Sequence, residues 1–205
     1  MKRWERIEFG LPECRREVDD LGALLAEREE LSEAADVLPF FADRKALSAA
    51  IGLLNPLLPR PDRLAHEYDL FGDFRCDLAV GQEGVGQFCL VEFEDARRAS
   101  VFSGPKGTPD WARRFEHGMS QVIDWFWKLE DERGSTEFQN RFGYGEAGFV
   151  GILVIGRRAF LDRKGEARLR WRRESVTVGR HGSVLCLTYD ELHSVLDQKL
   201  AAYGF

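Results

Sequence analysis

The sequence is poor in several features, and each shortage narrows what the protein can be. No apolar run approaches the roughly 20 residues that a helix needs to cross a bilayer, so no membrane contact of that kind is expected. The four cysteines, Cys14, Cys76, Cys89 and Cys186, form neither a CxxC pair nor a Cys/His ligand set. Three of them lie in apolar, strand-like runs, which predicts reduced core thiols and a cytoplasmic compartment. His66, His117, His181 and His193 are scattered, so zinc is not expected. The first six residues lack the apolar stretch of a secretory signal. No internal repeat or low-complexity tract breaks the chain. Basic residues are also in short supply: 29 Lys and Arg against 35 Asp and Glu leave a net charge of -6. That excludes a basic coat over the whole surface.

What remains is an ordinary globular composition, 44% apolar and 31% charged, which excludes wholesale disorder, collagen and disulfide scaffolds. With 205 residues the chain is most simply one domain carrying a small appended segment. A protein of this size leaves ~9,700 Å² exposed from ~33,900 Å² unfolded, enough burial for a core without metal or disulfide staples. The charge is unevenly spread. Residues 1–36 hold six basic and eleven acidic side chains, whereas residues 157–180 hold nine basic and three acidic. Local fields of this kind decide where a polyanion can dock.

Periodicity divides the chain into elements. Val18, Leu21, Leu24, Leu25 and Leu31 recur at helical spacing after Pro12, and a second apolar helix is expected over 43–54, ending at Asn55-Pro56. Strands follow over 67–71, 74–80 and 87–94, the last two joined as a hairpin through the glycine-rich link 81–86. A long helix over 109–133 has Trp111, Phe115, Gly118, Val122, Phe126 and Leu129 as its expected buried stripe. The run 149–155 (FVGILVI) reads as a central strand covered on both faces. Residues 162–173 favour helix by composition, although 168–172 also alternate like a strand. Residues 183–187 read as a strand, and Thr188-Tyr189-Asp190-Glu191 is a capping box opening a last helix. The expected fold class is α/β, a mixed sheet with helices on its faces.

Three carboxylates stand out in this pattern: Asp77, and Glu92 and Glu94 in Leu90-Val91-Glu92-Phe93-Glu94. Alternation places Leu90, Glu92 and Glu94 on one face. A turn centred between Glu83 and Gly84 sets Asp77 opposite Leu90, with Glu92 as its diagonal neighbour. Charged side chains in apolar strands are costly unless neutralised. A hard divalent cation, Mg²⁺ or Mn²⁺, would neutralise them and activate water on a phosphate. A solvated acidic edge strand has the same spacing.

Asp77, fourteen intervening residues and then Glu92-Phe93-Glu94, set between helices in this order, resembles the PD-(D/E)xK nuclease superfamily. The specific likeness is to the Shedu-type nuclease domain of bacterial anti-phage defence. It spans about 47–196 and takes in Gly72-Asp73-Phe74-Arg75-Cys76-Asp77, Phe102, Ser120-Gln121-Val122-Ile123-Asp124-Trp125, Val154-Ile155-Gly156-Arg157 and Leu187-Thr188-Tyr189-Asp190-Glu191-Leu192. The resemblance implies a restriction-endonuclease-like core over 43–205 behind a helical N-terminal extension, 1–42. It implies Asp77 and Glu92 as metal ligands and Gln121 as the residue positioning ligands or water. Glu94 stands where that superfamily most often has lysine, and is expected to act as general base or extra ligand. The implied function is metal-dependent hydrolysis of DNA. The competing class is an inactive nuclease-fold module that binds nucleic acid or a protein.

Other residues carry weaker expectations. Glu67 can add a carboxylate but reads first as a solvated strand residue, and Trp125, Phe126 and Trp127 read as packing. Arg97, Arg98 and Lys106 flank the site and are candidate backbone contacts, as are Arg168 and Arg172 in the basic stretch. A solvated loop and a solvated helix face are the alternatives for these two groups. No base-reading motif is present, so contacts of this kind would go to phosphates. The acidic, amphipathic 1–42 suits self-association or a protein partner.

Overall fold

The computed structural model describes residues 4–105, 107, 109–143, 147–176, 178 and 182–203. In chain order they form β1 (Glu5–Arg6), α1 (Leu11–Glu27), α2 (Leu38–Ala42), α3 (Lys45–Ala50), β2 (Arg63–Leu70), β3 (Phe74–Gly81) and β4 (Gln87–Phe93). Next come β5 (Phe102–Ser103), β6 (Asp110–Trp111), α4 (Arg113–Glu132), α5 (Thr136–Phe142), β7 (Gly148–Val154), α6 (Arg163–Ser175), β8 (Gly182–Leu187) and α7 (Tyr189–Ala202).

Six strands make one mixed sheet in the order β1-β2-β3-β4-β7-β8. The β1 to β4 side is antiparallel, and β4-β7 and β7-β8 are parallel. Parallel neighbours need a long connection, and α4 and α5 supply it between β4 and β7. Strand alternation sends Leu78, Val80, Cys89, Val91, Ile152 and Val154 to one core with α1, α3 and α7. Ala79, Phe88, Leu90, Phe149 and Leu153 go to a second core with α4 and α5. The strand β7 is buried along its length after Gly148, as its all-apolar sequence requires. All four cysteines are buried and unpaired.

The N-terminal segment is tied into this frame by polar contacts as well as packing. Leu31 bridges Ala96 just beyond β4. Arg157, buried, donates to the carbonyls of Arg28 (2.7 Å) and Leu25 (2.8 Å) at the C-terminal end of α1, and pairs with Asp190. Free carbonyls at a helix end need such donors. The Thr188 capping box forms as expected, with Glu191 N–H donating to Thr188 Oγ1 and Thr188 N–H to the Glu191 carboxylate.

Several elements differ from the sequence expectation. The helix α4 begins at Arg113 rather than 109, because Asp110–Trp111 pairs with Phe102–Ser103. The strand β1 and helix α5 were not anticipated. The latter is capped by Ser135, which accepts from Phe138 N–H at 3.0 Å, and buries Phe138 and Phe142. Trp125 is fully buried, but Trp127, expected to pack, is 60% exposed. Two residues along a helix turn a side chain through about 200°, so both cannot face one core.

Candidate active site

The site forms where two paired strands part. β3 and β4 pair from Gly81↔Phe88 to Leu78↔Val91. Past that point β3 continues against β2 and β4 against β7. Asp77 and Glu92 are the next residues on each strand, so they stand at the mouth of the fork. The Phe93 N–H, left without a cross-strand carbonyl, donates to Asp77 Oδ2 at 2.7 Å. A buried amide must find such an acceptor. This register differs by two residues from the one expected from the turn, and sets Asp77 level with Glu92 rather than Leu90. A two-residue shift leaves every side chain on its own face. Both carboxylates therefore point to the α4 side, as the spacing predicted.

Glu94 follows the end of β4, where its N–H donates to Val154 O at 2.9 Å and its carbonyl accepts from Tyr189 Oη at 2.7 Å. Its side chain is only 3% exposed and receives Arg114 Nη1 on Oε2 at 2.6 Å. The approach of α4 that allows this depends on Gly118. A Cβ there would lie 2.7 Å from Leu153 Cδ1 and 3.2 Å from Glu94 Cγ.

Gln121, one turn further along α4, lines the same cleft as Glu92 and tends to lower its pKa. With Asp77, Glu92, Glu94 and Gln121, a cleft of about 790 Å³ is lined by Glu33, Glu67, Arg75, Arg113, Arg114 and His117. Sequence reasoning missed Glu33, Arg75, Arg113, Arg114 and His117. The last three had a usable signal, since 113, 114, 117 and 121 fall along one helical stripe at spacings of three and four. Glu33 had none, being brought in from 59 positions before Glu92 by the Leu31–Ala96 bridge and by its own N–H bond to Asp95 Oδ1 at 2.9 Å. Glu67 is exposed, as expected, but also lines the cleft, and sits at φ 49°. That is a left-handed conformation few non-glycine residues adopt.

The electrostatics are those of a carboxylate cluster short of counter-charge. Burial, then repulsion from Asp77 and Glu94, pushes Glu92 up to about 9. Burial raises Asp77 to about 6, opposed by the Phe93 N–H. Burial also raises Glu94 to about 7, although Arg114 pulls it down. Five lining carboxylates face three guanidiniums, a formal excess of two negative charges.

Among the described residues no group of three or more His, Cys, Asp or Glu is arranged to hold a metal ion. Glu94, expected as general base or extra ligand, is paired with Arg114 at 2.6 Å. Asp77 and Glu92 remain as a pair of hard oxygen donors in a cleft where carboxyl groups outnumber guanidiniums. Mg²⁺ is commonly held by one or two carboxylates, with water and phosphate completing the shell. The residues present fit such an ion.

Of the remaining candidates, Arg97, Arg98, Arg168 and Arg172 do not join the cleft lining. Arg97 lies 3.9 Å from Asp95, and Arg98 pairs with Glu29 at 3.0 Å; both are exposed. Lys106 lies outside the described residues. Arg168 donates to Pro109 O at 2.6 Å, and Arg172 pairs with Glu116 at 3.0 Å. Among the described residues no helix is long and apolar enough to cross a membrane.

A family model described as Shedu protein SduA, C-terminal, matches residues 30–193. That span contains Glu33, both fork strands, α4 and the Thr188 capping box. No curated protein matches the chain.

Proposed function

Since the chain belongs to the family of Shedu SduA C-terminal regions, we propose that it is a nuclease that hydrolyses DNA phosphodiester bonds with Mg²⁺ or Mn²⁺, in defence against phage. In this reading residues 43–205 are a restriction-endonuclease-like unit of the PD-(D/E)xK type, and 1–42 are its helical extension. The observation that carries it is the fork itself: Asp77 and Glu92 held level at the end of a splayed strand pair, under-neutralised and open to a cleft.

Asp77 and Glu92 would hold the metal ion, which when bound supplies charge to polarise the phosphate and acidify water. Gln121, in the cleft wall with Glu92, would position the ligands or the water. Glu94, held near neutrality by the balance of burial and Arg114, suits a general base, whose best pKa lies near the working pH. The splayed backbone keeps the strands from closing over the carboxylates, and Asp77 itself satisfies the amide that the splay exposes.

A non-catalytic module that keeps this fold to bind nucleic acid or a protein is the competing reading. The Glu94–Arg114 pair favours it, because the pair already satisfies the proposed base. Cleavage of plasmid DNA with Mn²⁺, alongside titration calorimetry of Mn²⁺, separates the two. The nuclease reading expects both signals in the wild type and the loss of both in Asp77→Ala and Glu92→Ala. Metal binding and cleavage both absent from the wild type assign the chain to the binding module.

A further inference from the structure

A phosphodiester entering the cleft is an anion approaching five carboxylates, and three cations line the same wall: Arg75, Arg113 and Arg114. They are not equivalent. Arg75 lies 3.7 Å from Glu67, with two thirds of its side chain exposed. Arg113 is exposed and makes no ion pair among the described residues. Arg114 alone is fixed: Nη1 contacts Glu33 at 2.5 Å and Glu94 at 2.6 Å, and Nε lies 3.2 Å from Asp95. Its Nη2 group takes part in none of these contacts, 44% of the side chain is exposed, and the residue lines the cleft. A guanidinium is planar and rigid with five N–H donors, so an arginine held through Nε and Nη1 presents Nη2 in a set direction.

We propose that Arg114 is a substrate-contacting residue, gripping the phosphate to be cleaved through Nη2 while Nη1 holds Glu94. The inference deepens the nuclease reading and rests on it. It identifies where the cleft obtains the positive charge that Glu94 does not provide. The cation comes from the first turn of α4, twenty residues further along the chain, and reaches the strand carboxylate through space. The same guanidinium thus contributes twice. It offsets the charge of Glu94, and it offers an anion the two donors left over.

The test combines two backgrounds and two readouts. In the wild-type background, Arg114→Ala should lower kcat for Mn²⁺-dependent DNA cleavage by about 10²-fold, the usual effect of removing one transition-state donor. In a Glu94→Lys background, which loses the base but supplies the cation on the strand and is read against its own lower kcat, the same change should alter kcat less than about 3-fold, since groups sharing one role are non-additive; if that background does not cut, the salt slope below decides alone. The second readout needs no metal. With EDTA present, the slope of log affinity for a short DNA duplex against log salt should fall by about one contact in Arg114→Ala and Arg114→Gln, and hold in Arg114→Lys.

Equal losses in both backgrounds, or an unchanged salt slope, overturn the proposal and leave Arg114 as a structural tie for Glu94. A wild type that does not cut overturns the nuclease reading instead, and the salt slope alone then decides Arg114. If Arg114→Ala fails to fold, the Gln and Lys variants give the same comparison.

Discussion

The cleft at the β3–β4 fork and the face of α6 are both highly charged, and they treat charge in opposite ways. Along α6 and the turn before it most cations have a partner among the described residues. Arg158 pairs with Glu166, Arg172 with Glu116 and Arg173 with Glu191, while Lys164 donates to Gly107 O. Arg168 donates to Pro109 O and lies over the Phe102 and Trp111 rings at 4.6 and 5.2 Å. In the cleft, carboxylates outnumber cations and are driven towards protonation. Satisfied charge of the first kind fastens a helix to its neighbours. Buried charge left short of partners costs stability, and proteins retain it where chemistry needs it. A cluster of arginines in the sequence was therefore a weaker pointer than three carboxylates in apolar strands.

The largest test of this contrast is catalytic. Glu94→Gln keeps the shape and the hydrogen bond to Arg114 but removes the base, and should lower cleavage roughly 10²–10⁴-fold with metal binding largely retained. Cleavage within a few-fold of wild type would reduce Glu94 to a packing partner of α4.

The next test is thermodynamic. Glu92 binds its proton more tightly in the folded chain, at about 9 against an ordinary 4.5. Its contribution to stability is therefore fully present below about pH 4.5 and is lost as pH rises towards 9. At ~1.4 kcal/mol per pKa unit, Glu92→Gln should stabilise the metal-free protein by on the order of 3 kcal/mol at pH 8 and by little at pH 5. Mn²⁺ should stabilise the wild type most at the alkaline end, because it binds the ionised pair. Urea unfolding at the two pH values in EDTA measures this difference. Equal stability of Glu92→Gln and wild type at pH 8 would place Glu92 among the satisfied charges, as on α6.

The smallest effect is expected on α6. Replacing Arg168 and Arg172 together with alanine should cost about 1–2 kcal/mol of stability through lost hydrogen bonds and ring contacts. The salt dependence of DNA affinity should change by less than one contact. A slope lower by about two contacts would make α6 a phosphate track and erase the contrast.

Most of the architecture was legible because it is written in local periodicity. The all-apolar β7, the stripe on α4, the Thr188 capping box and the helical reading of α6 all depend on residues a few positions apart. The hairpin register was read two residues out because glycine-rich links do not fix their own turn centre, yet the period of two still placed Asp77 and Glu92 on one face. The short pairing of β5 with β6 escaped notice, since two-residue strands have no period to read.

By itself the sequence determined which strands carry the carboxylates and which face they share, because side-chain direction in a strand follows from parity alone. Only the tertiary structure decided how far those charges are compensated. Glu33 arrives by way of the Leu31–Ala96 bridge, and Arg114 arrives because Gly118 lets α4 settle against Glu94. Coulombic balance is a sum over groups close in space, and nothing in the spacing of residues along a chain contains that sum.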